Sequence, residues 1–169
     1  MLTASYICGF LGITSTVIIY QQKNRTGLLF SKLLSDIIWF LHYAFIAAYA
    51  GAAIAVIGFV REIVFMNRNK KWARSWLWLV LFLALSALAG IFTWKNIFSI
   101  FPCIASMLAV VSFWIGSPKL SRILSFPISV LMLVYDISYL AFMAIINELL
   151  TVISSVVGIV RHDIEKSSK

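Results

Sequence analysis

Apolar residues run along the chain in seven stretches, near residues 3 to 20, 27 to 47, 50 to 66, 76 to 93, 98 to 115, 123 to 145 and 148 to 162. Each approaches the roughly 20 residues that a helix needs to cross bilayer hydrocarbon. The breaks are short: 21–25, a turn around Tyr49 to Gly51, the basic stretch 67–74, 94–96, 116–119, and a turn near Asn147. The pattern predicts seven transmembrane helices, the third interrupted by Arg61 and Glu62.

Sliding the chain on itself suggests an internal repeat. At an offset of 96, Lys23 meets Lys119; at 100, Leu33, Asp36, Ile37, Ala44, Ile46, Val56, Gly58, Val60 and Arg61 all meet identical residues. Spans one to three then correspond to spans five to seven. Small residues line one face of the outer members of each set: Ser5, Gly9, Gly12 and Thr16 in span one, Ala105, Ala109, Ser112 and Gly116 in span five. Span three carries Gly51, Ala55 and Gly58, and span seven Thr151, Ser155 and Gly158. Such faces let membrane helices approach closely where lipid supplies no hydrophobic drive. Span four is apolar all round, with leucine at 77, 79, 81, 83, 85 and 88, as suits a lipid-facing connector. The fold class is therefore an all-α membrane protein of seven transmembrane helices, two parallel three-helix bundles joined by a linker helix (3+1+3), because an odd repeat unit needs one extra crossing to restore its orientation. Residues 1–66 form the first bundle, 67–97 a basic loop and the linker, 98–162 the second bundle and 163–169 a tail.

Composition agrees, since 62% of the residues are hydrophobic and 12% charged, which excludes an ordinary water-soluble domain. A formal charge of +8 would suit a nucleic-acid binder only on a soluble body, and here the basic residues sit between apolar runs, so no nucleic acid is expected. Seven spans put Lys23, Arg25, Arg68, Lys70, Lys71, Arg74, Lys119, Arg122, Arg161, Lys166 and Lys169 on one side and Lys95 alone on the other. The positive-inside rule then places the amino terminus outside and the carboxyl terminus in the cytoplasm. The first Lys or Arg is Lys23, beyond the first apolar run, so a cleaved signal peptide is not expected. Cys8 and Cys103 lie in apolar runs without metal or redox spacing, and read as two buried thiols; no metal or cofactor is expected.

Candidate chemistry lies on the second span of each bundle. Lys32, Asp36, Trp39 and Tyr43 share one helical face, flanked by Ser35 and His42. At the offset of 100 the corresponding stripe is Met132, Asp136, Tyr139 and Met143, with Tyr135 at its shoulder. Charged side chains near the bilayer centre cost about 2.5 to 3.5 kcal/mol each on insertion scales, so both aspartates are expected to face a bundle interior. Asp36, Trp39, Tyr43, Tyr135, Asp136 and Tyr139 are thus candidate solute-binding residues, with the two aspartates at comparable depth. Lys32, His42, Arg61 and Glu62 form a structural or gating cluster in which Lys32 or Arg61 compensates Asp36. The alternative is purely structural, an i,i+4 ion pair and a helix anchor. HExxH, P-loop and GxSxG motifs are absent, so an enzyme is not expected and no catalytic residue is assigned.

The segments Gln21-Gln22-Lys23-Asn24-Arg25, Lys32 to Asp36, Trp39 to Tyr43, Gly51 to Ile54 and Arg61-Glu62 resemble the bacterial inner-membrane family typified by YgjV. That resemblance implies an inner-membrane location. More distantly, the plan is similar to MtN3/SWEET, PQ-loop and PnuC-type transporters, and this implies their fold and solute transport. Gln21-Gln22 stands where a PQ-loop protein has Pro-Gln, span three has no Asn, and Asn147 is expected only at the outer edge of span seven, which points away from a sugar. A small-solute transporter or facilitator is the leading expectation, its solute asymmetric with a planar or cationic part. A receptor or assembly protein built on the same bundle is the alternative. Partners are the lipid bilayer and an unknown small solute, with a homo-oligomer left open.

Overall fold

The computed structural model describes residues 2–161, so the tail expected at 163–169 lies outside the described residues. The described chain is all-helical: α1 (Leu2–Gln21), α2 (Arg25–Phe45), α3 (Tyr49–Met66), α4 (Leu77–Phe92), α5 (Ile100–Ile115), α6 (Pro118–Ser138) and α7 (Phe142–Ile159). One 3-10 turn, Lys71–Arg74, lies in the basic loop, and another, Ile97–Ser99, leads into α5. Helices α2, α3, α5 with its leading turn, α6 and α7 are long and apolar enough to cross a membrane, while α1 and α4 are shorter as apolar helices.

The helices close into a ring. Helix α1 packs on α2, α2 on α3, α3 on α5, α5 on α6, α6 on α7, and α7 returns to α1. Helix α4 lies outside, against α3 and α5. It turns Phe82, Ser86 and Gly90 inward and leaves Leu77, Val80, Leu81, Leu88, Ile91 and Phe92 exposed. Phe82 meets Phe65 edge-on at 5.6 Å, and Ser86 shares a 2.9 Å hydrogen bond with Ser106 of α5. Cys103 is buried against this contact and donates to the Ser86 carbonyl, whereas Cys8 is only half-buried, contrary to the expectation of two buried thiols.

The last two helices begin earlier than the apolar pattern suggests. That pattern takes span six to residue 145, but α6 stops at Ser138 and α7 starts at Phe142. The turn between them, Tyr139-Leu140-Ala141, contains no Gly, Pro or charge, so hydropathy cannot mark it. Leu140 adopts φ 51°, and Ala47 adopts φ 55° in the turn between α2 and α3. Both turns close alike, Ala48 N–H on the Tyr43 carbonyl at 3.0 Å and Ala141 N–H on the Asp136 carbonyl at 2.9 Å.

The matched turns set the two helix pairs 93 residues apart, not the expected 100. Helix α6 starts and ends 93 residues after α2, and α7 starts and ends 93 residues after α3. Only Ala48/Ala141 and Val64/Val157 are identical at that register between 25 and 66. The expected offset of 100 is seven residues longer, two helical turns, so it preserves the helix face and displaces the depth by about 10 Å. At the spacing of 93, five buried residues of α2, Leu28, Leu29, Asp36, His42 and Tyr43, match buried Ser121, Arg122, Ser129, Tyr135 and Asp136, whereas buried Ser35 and Trp39 match the half-buried Ile128 and Met132.

Candidate functional site at the centre of the ring

A cavity of about 130 Å³ lies inside the ring, and every ring helix contributes to its wall. Helix α1 supplies Thr16, Ile19 and Tyr20; α5 supplies Ala105, Ser106 and Ala109. Helix α2 gives Lys32, Ser35, Asp36, Trp39 and Tyr43, and α3 gives Gly51, Ile54, Ala55, Gly58 and Arg61. The opposite wall is Ile128, Ser129 and Met132 of α6 with Asn147, Glu148 and Thr151 of α7.

Close approach shapes this wall. A Cβ on Gly12 would sit 2.8 Å from the Trp39 ring, and one on Gly58 would sit 2.5 Å from Asp36 Oδ2, so the two glycines admit these side chains. Trp39 is held edge-on by His42, with ring centroids 5.1 Å apart. His42 itself turns away from the cavity and meets Ser5 through Nδ1, 3.1 Å from its hydroxyl and 3.0 Å from its carbonyl.

Charge is largely closed within the protein. Lys32 pairs with Asp36 one turn along α2, as the sequence spacing suggests. Arg61 does not pair with Asp36; it makes two 2.9 Å hydrogen bonds to the Glu62 carboxylate and lies 5.1 Å over the Phe113 ring. Arg61 and Glu62 are 3% and 0% exposed, so a pair that reads in sequence as a helix-end anchor is interior. Asp36 Oδ2 has no hydrogen-bond partner among the described residues.

Three of the six candidate solute-binding residues do not line the cavity, Tyr135, Asp136 and Tyr139, and neither do His42 and Glu62 of the proposed gating cluster. Corrected to the 93-residue register, Asp136 stands opposite Tyr43 rather than Asp36, nearer the α6–α7 turn. There Tyr43 donates to Asp136 Oδ1 at 3.0 Å, and the Tyr135 hydroxyl accepts from Gly51 N–H at 3.2 Å, forming a polar layer over one end of the cavity. Tyr139 falls in the turn after α6 and packs against Tyr135 with the rings tilted by 43° and their centroids 4.8 Å apart.

Sequence reasoning passes over Glu148 and misplaces Asn147. The apolar pattern puts both at a turn and a helix edge; both sit inside α7 and face the cavity. The Asn147 amide donates to Glu148 Oε1 at 3.1 Å, and Asn147 Oδ1 is buried without a partner among the described residues. The usable signal is an acid inside an apolar run, the same argument that selects Asp36 and Asp136. Ser106 and Ser129 carry no such signal.

The end of the ring away from those two turns is tied by arginines. Arg122 donates to the carbonyls of Tyr20 at 3.2 Å and Gln22 at 2.9 Å, at the end of α1. Arg25 donates to the Phe113 carbonyl at 3.4 Å, and Arg68 to the Trp114 carbonyl while lying 4.3 Å over the Trp114 ring, at the end of α5. Cations at helix carboxyl ends also complement the helix dipole. No three His, Cys, Asp or Glu side chains come together as a metal site among the described residues.

An all-helical chain with several bilayer-length apolar helices and charged groups turned inward belongs to the integral membrane proteins. A model of bacterial inner membrane proteins, the Imp-YgjV family, matches residues 3–166, and the chain belongs to that family. No curated protein and no solved structure matches the chain.

Proposed function

We propose that this inner-membrane protein is a small-solute transporter or facilitator whose solute occupies the central cavity. In this reading all seven helices cross the bilayer as two parallel three-helix repeats with α4 as linker, amino terminus outside and carboxyl terminus in the cytoplasm. The observation that carries it is a largely apolar cavity walled by all six ring helices, with Lys32, Asp36, Arg61 and Glu148 set into that wall, where the two sets of three meet. Parallel-repeat transporters bind solute at such a repeat interface near the midplane. Asp36, Trp39 and Tyr43 then contact solute from the first repeat, while Asp136 and Tyr135 form the layer that closes the cavity toward the outside.

Topology is tested by alkaline phosphatase fusions, expected to be inactive after residue 71 and active after residue 96. Transport is tested by access. With Cys8 and Cys103 changed to Ser, Thr151→Cys should react with membrane-impermeant methanethiosulfonates in both right-side-out and inside-out vesicles. Reaction from one side only would support the receptor or assembly reading, and reaction from neither would end both.

A further inference from the structure

We infer that the solute is an organic cation and that Glu148 is the group that reads its charge, an inference that rests on the transport reading and names the solute class for the same cavity. Four formally charged side chains line the wall: Lys32, Asp36, Arg61 and Glu148. Two basic groups would repel a cation if they were free. Lys32 is already closed by Asp36 and Arg61 by Glu62, which lies behind the wall. Glu148 forms no ion pair among the described residues, although it is only 8% exposed. A buried carboxylate without a cation is costly unless something positive arrives to meet it.

The neighbouring polar atoms favour the same ligand. Asn147 spends its amide donor on Glu148, and its Oδ1, in a side chain 6% exposed, is left as an acceptor with no partner among the described residues. One end of the cavity therefore offers a carboxylate and an amide oxygen together, two acceptors that call for a group rich in N–H donors. An ammonium, an amidinium or a protonated ring nitrogen meets both. An anion meets only cations that are already paired. Trp39 lines the same cavity with its ring fixed by His42 on one side and the Gly12 backbone on the other. An indole at close range adds cation–π attraction and a stacking surface for a planar body.

The test uses Thr151→Cys in the full-length, cysteine-substituted protein, one turn along α7 from Glu148. Trimethylammonioethyl methanethiosulfonate should react about tenfold faster than sulfonatoethyl methanethiosulfonate, each normalised to its rate with free cysteine, as expected of a cleft with a focused negative field. Glu148→Gln should collapse that ratio. Benzamidine, benzamide and benzoate share one planar shape and differ in charge. Benzamidine should protect the introduced thiol from labelling at concentrations where benzamide protects weakly and benzoate does not, a comparison that stands even if Glu148→Gln does not fold. Equal or reversed reagent rates, protection by benzoate, or no protection by benzamidine would overturn the cation inference while leaving transport intact. No reaction of either reagent from either side would instead overturn the transport reading beneath it.

Discussion

The two sets of three helices solve the same packing problem with different chemistry. Lys32, Asp36, Arg61 and Glu62 in the first set stand 93 residues before Ser125, Ser129, Ser154 and Ser155 in the second. Four charges face four serines. The second set closes its helices with hydroxyls: Ser125 Oγ donates to Ser155 Oγ at 2.7 Å, and Ser154 Oγ donates to the Val17 carbonyl at 3.1 Å. The first set uses two ion pairs at the same places. Serines suffice to hold this geometry, and burying ions carries a desolvation cost that apolar or neutral groups avoid. Of the charged quartet, Lys32, Asp36 and Arg61 line the cavity and Glu62 holds Arg61 from behind the wall.

That comparison breaks most decisively at Glu62. Glu62→Gln leaves Arg61 buried without its carboxylate and should destabilise by about 3 to 5 kcal/mol. Unfolding in mixed micelles measures it, and a loss no greater than that of Ser155→Ala would remove the contrast between the sets. Gly58→Ala comes next, at about 1 to 3 kcal/mol, because its Cβ would press on Asp36 Oδ2 at 2.5 Å. Thr151 already carries a Cβ at the matching place, so Thr151→Ala should cost less by the same assay. A double-mutant cycle sharpens the Lys32–Asp36 pair: Asp36→Asn should cost more alone than in a Lys32→Gln background, with a coupling on the order of 1 kcal/mol. Additive changes would show that Lys32 does not compensate Asp36. Smallest is Ser125→Ala, which removes one interhelical hydrogen bond and should cost about 0.6 kcal/mol, the typical value for such bonds within membranes.

Much of the fold is legible because helix periodicity survives in a hydrophobic chain. The face carrying Asp36, Trp39 and Tyr43 is the one turned into the ring, and Gly12 and Gly58 sit where close approach needs them. What hydropathy cannot carry is depth. The turn at Tyr139-Leu140-Ala141 is as apolar as the helices beside it, and placing the break near Asn147 instead moves the register by two turns. Identities at the offset of 100, Asp36 with Asp136 among them, outnumber the two at the helix spacing of 93. A slip of that length keeps every residue on its face, so Tyr135 and Asp136 are interior as expected but do not lie level with Asp36. The same slip hides Glu148 by leaving it at a helix edge, where an acid is unremarked. Pairing poses a separate difficulty: Arg61 lies one turn of α3 from Gly58 and so from Asp36, yet its adjacent residue Glu62 curls back to take it, which spacing alone does not reveal.

The arginine ties at the end of the ring away from the α2–α3 and α6–α7 turns bear on how the orientation of this protein can be engineered. Arg25, Arg68 and Arg122 belong to the basic bias from which membrane orientation is read, and each also fastens a helix end through a main-chain carbonyl. Because their acceptors are backbone atoms, these ties depend on the donor side chains at 25, 68 and 122 and not on side-chain acceptors at 20, 22, 113 and 114. Neutralising all basic residues at that end to invert insertion would unfasten α1 and α5 in the same stroke, and a misfolded product would pass for a topological one. Lys23, Lys70, Lys71 and Lys119 are exposed, so exchanges confined to them would change the insertion signal and leave the fastening in place.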